Sequence, residues 1–365
     1  MFRAMDKWLV GYLRSALTRP AAGSGPLHVM FCVADHFEPF RGGVDGAAAL
    51  ATVGRWVSEY PRCFAGYRDA DGMPPRHTFF YPQEEYDPAC LDALTGLCAA
   101  GWGEVEIHLH HRHDTAGGLR GKLVEFRDRL RNAHGCLGSD RAGGIRYGFV
   151  HGNWALCNAR PDGDWCGVNE ELGILQSTGC YADFTFPSAP SPTQPRVVNA
   201  IYYATDIPGR PRASDRGVPA RAGDHSRAPS GLMLIQGPLA LNWRWRKWGV
   251  LPRLENGEIS GANPPTHDRI RLWALQHIHV RGRPDWIFIK VHTHGCVPAN
   301  MDMLLGEAMR RAHDEFRGWL NAGQRCLHYV TAREMYNIVR AAEHGCTGLP
   351  GAFRDWEIAR PPCAG

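Results

Sequence analysis

The sequence predicts an α/β protein built on a parallel sheet of the barrel type. Two observations carry this. Short, nearly all-apolar runs alternate with segments whose apolar residues recur at helical spacing. That is the pattern of strands buried on both faces and joined by helices. The polar residues that could do chemistry then follow those runs: Asp35-His36, His108 to Asp114, His151 to Trp154 and His292 to His294. Parallel α/β sheets collect their ligands at such carboxyl ends of strands.

The elements follow in order. In residues 1–20, Phe2, Met5, Trp8, Leu9, Tyr12, Leu13 and Leu17 share one helical side, bordered by Arg3, Lys7, Arg14 and Arg19. A basic amphipathic helix of this kind suits an anionic membrane surface, or docking on the body of the protein. Residues 27–34 (LHVMFCVA) and 77–81 (HTFFY) read as strands. A helix follows, with Asp87 as cap, Pro88 in its first turn, Leu91, Leu94, Leu97 and Cys98 inward, and Gly101 as its stop. The strand ending in the histidine cluster comes next, then Leu119, Leu123, Phe126 and Leu130 at helical spacing.

Further strands are predicted at 147–151, 181–186, 232–236 and 286–292, with a helix over 169–177. Residues 303–320 read as one amphipathic helix. Thr331 and Glu334 form a capping box that opens the last helix, with Met335, Ile338 and Val339 inward. Residues 205–230, rich in Pro, Gly, Arg and Asp without periodicity, read as a mobile surface insertion. The domain is placed at 26–345, with 346–365 as a tail.

Bulk properties narrow the function classes. The 365 residues are 44% hydrophobic and 21% charged, with a formal net charge of +4. This is an ordinary globular composition, and it gives no argument for nucleic acid. The 12 cysteines are scattered without a C-x-x-C pair, which suits a reducing, cytoplasmic setting. No run has the length of a membrane span, and the start lacks the apolar core of a signal peptide.

The segment Val105-Glu-Ile-His-Leu-His-His-Arg-His-Asp114 is the strongest chemical signal. Imidazoles and a carboxylate delivered by a strand end are the usual ligands of zinc and related metals. The stretch HTFFYPQEEYDPACLDALTGLCAAGWGEVEIHLHHRHDT resembles the polysaccharide deacetylase superfamily, the NodB-homology domain of family 4 carbohydrate esterases. The order of motifs is similar too: an acidic pair after the first strand, a His-x-x-x-ligand after the third, and a His after the last.

The resemblance implies a distorted (β/α)7 barrel, with the N-terminal helix and extra C-terminal helices added. It implies a divalent metal, commonly Zn2+, and removal of an N-acetyl group from a sugar, polysaccharide or glycolipid precursor. Position by position, Asp35 matches the base, His36, His110 and Asp114 the metal ligands, and His292 the general acid. His294 competes with His292, and Asp183 either orients His292 or caps a turn. His108 and His111 are rival ligands, with His108 also suited to a supporting hydrogen bond, and His113 is expected in solvent.

The family has Asp-Asp where this chain has Asp35-His36, which leaves open whether Asp35 itself binds metal. The family's Arg-x-Pro motif is missing. His151, Asn153 and Trp154 stand in its place as substrate-binding candidates. Trp154, Trp243, Trp245 and Trp248 could stack on sugar rings, or simply pack. Hydrolysis of a non-sugar C–N bond and non-catalytic glycan binding are the alternatives. A lipid-linked substrate would suit the helix of residues 1–20 on the inner membrane face.

Overall fold

The apolar runs become strands with almost no exposed position. The computed structural model describes residues 4–20, 25–223, 230–321 and 325–363. Its strands are β1 (Leu27–His36), β2 (His77–Pro82), β3 (Gly103–Leu109), β4 (Gly138–Asp140), β5 (Ile145–His151), β6 (Cys180–Asp183), β7 (Ile201–Ala204), β8 (Val218–Pro219), β9 (Leu232–Ile235), β10 (Ala240–Lys247), β11 (Leu251–Glu255), β12 (Trp286–Thr293), β13 (Arg325–Tyr329) and β14 (Ile358–Ala359). Its α-helices are α1 (Met5–Leu17), α2 (Gly46–Phe64), α3 (Pro88–Ala99), α4 (Ala116–His134), α5 (Glu171–Ser177), α6 (His267–Leu275), α7 (Pro298–Leu304), α8 (Glu307–Asn321) and α9 (Ala332–Glu343).

Twelve strands form one sheet in the order β12-β1-β2-β3-β5-β6-β9-β7-β8, with β4, β13 and β14 attached. From β12 to β9 every neighbour is parallel. The strand β1 is the branch point. Its first half pairs with β13, from Leu27↔Arg325 to Phe31↔Tyr329, and its second half with β2, from Val33↔His77 to His36↔Phe80. Among the described residues no ladder joins β12 to β9. The pairing thus establishes a mostly parallel α/β sheet, and not the closed (β/α)7 barrel.

The pleat sorts side chains into two layers. Val29, Phe31 and Val33 of β1, Val105, Ile107 and Leu109 of β3, and Tyr147 and Phe149 of β5 pack outward with α2, α3 and α4. Met30, Cys32, Ala34, Phe80, Val150 and Phe288 pack inward with Met335, Ile338 and Val339 of α9. The helix α9 begins with the predicted capping box, Thr331 with Glu334. It carries Arg333 to the amino end of β3, where the guanidinium donates to both oxygens of Glu104 at 2.7 and 3.0 Å.

Three expectations change. The helix expected over 303–320 is two, α7 and α8, broken at Leu305-Gly306. Gly306 lies so close to the Asp302 carbonyl that no Cβ fits. The segment 205–230 is not a loose insertion in its described part. β8 pairs with β7 there, and Arg212 donates to Ala159 O at 2.7 Å and Gln194 O at 2.9 Å. The tail also packs, since β14 pairs with β4.

The helix α1 is docked. Trp8 is buried against Ala189, Val198 and Leu239, with Met5, Leu9 and Tyr12 beside it. Leu13 and Leu17 of the same predicted stripe are exposed. Phe2 and Arg3 lie outside the described residues.

Arg333 and Glu104 are both 1% exposed. Arg333→Ala should lower stability by about 3–5 kcal/mol in urea unfolding, because it strips buried Glu104 of both guanidinium hydrogen bonds and leaves it the Thr331 hydroxyl and Arg76 at 3.7 Å. The double variant Arg333→Met/Glu104→Leu should recover much of that loss.

Candidate metal centre

Alternation along β1 and β3 decides which polar residues meet. Asp35 continues the outward set of β1, and His36 the inward set. Asp35 is wholly buried. Its Oδ2 pairs with His77 Nε2 at 2.8 Å, and its Oδ1 accepts the Gly295 N–H at 2.6 Å. Trp56 closes this pocket by donating to Gly295 O at 3.2 Å. Both carboxylate oxygens are engaged on the helix side of the sheet. The geometry therefore does not give Asp35 the role of base.

The inward side holds a different acid. Glu38, two residues beyond the end of β1, is 3% exposed. Its Oε1 lies 3.3 Å from His110 Nε2 and 3.6 Å from His108 Nε2, and its Oε2 lies 2.9 Å from His294 Nδ1. Arg41 also pairs with it. Burial opposes ionisation of Glu38, but the neighbouring imidazoles of His108, His110 and His294 outweigh it and hold the carboxylate far below its usual range. Burial likewise lowers His110, yet Glu38 and Glu84 push it up to about 9.

Glu38, His108 and His110 bring one donor atom each within 4.8 Å of one another. Behind each imidazole stands an acceptor. His108 Nδ1 donates to Val150 O at 2.8 Å, and His110 Nδ1 pairs with Glu84. The second nitrogen of His108 is then left buried without a hydrogen-bond partner, and it faces Glu38. Two imidazoles and one carboxylate, each imidazole oriented from behind, are a donor set suited to a divalent metal with an open position.

The wall of the site is aromatic and histidine-rich. The His36 ring lies 4.8 Å from His108, 4.6 Å from His294 and 6.2 Å from His292. Trp154 stands 6.4 Å from both His36 and His294, and its indole N–H is buried and unpaired. His292 is buried, with Nδ1 unpaired. Burial and then neighbouring positive groups hold His36 and His292 well below the usual imidazole range. His36 thus lines the site beside the Glu38 trio.

Three other candidates lie elsewhere than expected. His110 and Asp114 were expected to share a metal, but residues 110–115 precede α4 and are not helical, so positions four apart do not meet. Asp114 instead accepts from Lys122 at 2.8 Å and faces His111 Nδ1 at 3.3 Å. His151 points outward with His111, and away from Trp154. Asp183 accepts from the Thr185 N–H and hydroxyl at 3.1 and 2.7 Å, so its oxygens serve Thr185 and not His292. Asn153 is half-buried at a positive φ of 57°. His113 is exposed, as expected.

The sequence reading missed Glu38 and Glu84. Glu38 had a signal, because it follows β1 and precedes Pro39 at the carboxyl edge. Glu84 sits in the turn after β2, the neighbouring strand. No protein-family model and no curated protein matches the sequence.

Glu38→Gln and His108→Ala should each lower bound zinc by one equivalent after dialysis. The loss of affinity should exceed the roughly 10–100-fold that an outer partner costs. Asp35→Asn should keep that equivalent, as read by elemental analysis.

Proposed function

We propose that this protein is a metal-dependent hydrolase that removes an N-acetyl group from a sugar, polysaccharide or glycolipid precursor. The observation that carries the reading is the convergence of Glu38, His108 and His110 at the carboxyl edge of a parallel sheet, faced by His36, His292, His294 and Trp154. We read the sheet as an interrupted barrel of the deacetylase type. Lys290 of β12 donates to Phe184 O beyond β6 at 2.7 Å, a side-chain link between these two parts of the sheet.

A divalent cation held by Glu38, His108 and His110 would supply the Lewis acidity that activates water and polarises an acyl carbonyl. The chain's own groups then handle protons. Amide hydrolysis needs one group to take a proton from water as the C–O bond forms, and one to give a proton to nitrogen as the C–N bond breaks. With Asp35 turned outward, His292 and His294 are the groups placed for this exchange. His292 is held neutral, and its Nδ1 has no hydrogen-bond partner. His294 is oriented by Glu38 and by Arg41, 3.1 Å away. Trp154 offers a flat face and an unpaired N–H donor for a sugar ring and its hydroxyl.

The substrate class rests on the resemblance, so a screen tests it. Acetate release from N-acetylhexosamine oligomers should be abolished in Glu38→Gln. It should fall about 10²–10⁴-fold in His292→Gln, with the metal retained. Loaded protein that releases acetate from no N-acetyl sugar, yet cleaves small cyclic amides, would move the reading to a non-sugar C–N hydrolase.

We further propose an anionic membrane surface as partner, in a cytoplasmic and peripheral setting. No helix among the described residues is long and apolar enough to cross a membrane. Leu13 and Leu17 of α1 and Trp243, Trp245 and Trp248 of the β10–β11 hairpin are exposed. The hairpin's Leu241 and Leu254 pack into the same cluster as α1. Lys247 and Arg253 lie over Trp248 and Trp245 at 4.3 and 4.0 Å, the mix that favours a lipid–water interface. Trp243→Ala/Trp248→Ala should weaken co-sedimentation with phosphatidylglycerol vesicles, and added salt should weaken it further.

A further inference from the structure

The geometry points to a second metal site, a closed zinc centre formed by His111, His151, Cys166 and Glu171 on the outward face of the same sheet edge. One donor atom from each lies within 4.8 Å of the other three. All four residues are buried. His111 Nε2 lies 3.2 Å from Glu171 Oε1, and His151 Nε2 lies 3.5 Å from the same oxygen. Cys166 Sγ lies 3.4 Å from Glu171 Oε2. Tetrahedral zinc with nitrogen and oxygen donors at about 2.0 Å sets those donors about 3.3 Å apart. The spacings are those of ligands around one ion.

The hydrogen bonding around the donors points the same way. His151 Nδ1 donates to Gly152 O, which leaves Nε2 as a bare lone pair, buried and unpartnered. His111 Nδ1 lies 3.3 Å from Asp114 Oδ2 without a hydrogen bond, and its Nε2 meets the Glu171 carboxylate at 3.2 Å. The bare lone pair of His151 and the carboxylate oxygen 3.5 Å from it repel each other unless a cation lies between them. The Val168 N–H points at Cys166 Sγ at 3.4 Å, a contact that a metal-bound sulfur would keep. One thiolate and one carboxylate neutralise a dication, which makes the group tolerable in a dry layer.

The site has a mechanical use. Between β5 and α5 the chain runs through residues 152–170 with only a single short turn of helix. Asn153, Trp154, Cys157, Asn158 and Trp165 all have positive φ there, a conformation that costs about 1–3 kcal/mol per non-glycine residue. Cys166 and Glu171 would be tied by the metal to His111 beyond β3 and His151 at the end of β5. The Asp114 N–H donates to Cys166 O at 2.8 Å, and Gly167 (φ 99°) passes too near Asp114 for a side chain. The clamp would fix the loop that carries Trp154, and would hold His110 through its neighbour His111.

Sulfur distinguishes this site from the first, which contains none. Elemental analysis of zinc-loaded wild-type protein should give two equivalents. Cys166→Ser and Glu38→Gln should each retain one. Cobalt-substituted wild-type protein should show a near-ultraviolet thiolate-to-cobalt charge-transfer band that survives Glu38→Gln and vanishes in Cys166→Ser. Cobalt-loaded wild-type protein without that band overturns the proposal, even if Cys166→Ser fails to fold. Full metal content in folded Cys166→Ser overturns it too. Neither result bears on the Glu38 trio.

Discussion

The carboxylate of Glu38 is the constraint on which the mouth of the sheet depends. It is buried, ionised and surrounded by His108, His110, His294 and Arg41. An unpaired buried carboxylate would cost several kcal/mol or more. The loop after β1 can therefore occupy its place only while the ends of β3 and β12 bring their histidines to it. The Phe40 N–H adds a tether by donating to Glu85 at 2.8 Å, and burial beside Glu38 and Glu84 pushes Glu85 up to about 7. Three strand ends are thus fixed to one another through one side chain.

The opposite end of the sheet is organised for a different purpose. Glu104, Arg333, Arg76 and Glu334 form a buried ionic group under α9, and Arg354 joins it through Glu334. Its members pair with one another, and Arg354 also with Asp69 and Asp71, while the Nε of Arg76 and of Arg354 is left without a hydrogen-bond partner. At the carboxyl edge, His108, His151 and His292 keep buried nitrogens without hydrogen-bond partners. Three unpartnered imidazole nitrogens thus sit at the edge where parallel α/β sheets collect their ligands.

This arrangement explains what could be read from the sequence. The strands β1, β2, β3, β5, β9 and β12 were legible because burial on both faces leaves an unbroken apolar run. The helices α3 and α9 were legible because Asp87 and Thr331 cap them as their spacing predicts. The edge carrying the chemistry was legible for the same reason. The identity of the ligands was not, since it depends on the face taken by each residue just past a strand end. Matching Asp35-His36 to an acidic pair assigned the acid by position in the chain, whereas the pleat turns Asp35 outward and leaves Glu38 to enter. The strand β13 and the residues Cys166 and Glu171 leave almost no local signal, because their roles come from contacts made across the fold.

The consecutive pair His110 and His111 shows why both metal readings belong to one architecture. A chain leaving a strand in extended form sends successive side chains to opposite faces. A layered α/β protein offers a polar inner mouth on one face and a helix-covered layer on the other. His110 enters the mouth, where Glu38 and Glu84 meet it, and His111 enters the covered layer, where Glu171 and Asp114 meet it. A shift of one residue at the end of β3 would exchange them, placing His110 among the outer ligands and a different side chain beside Glu38. The register of β3 against β2 and β5, from His77↔Gly103 to Leu109↔His151, therefore sets both sites at once. Neither can be tuned without moving the other, which is a physical reason for keeping four histidines so close together at this one edge.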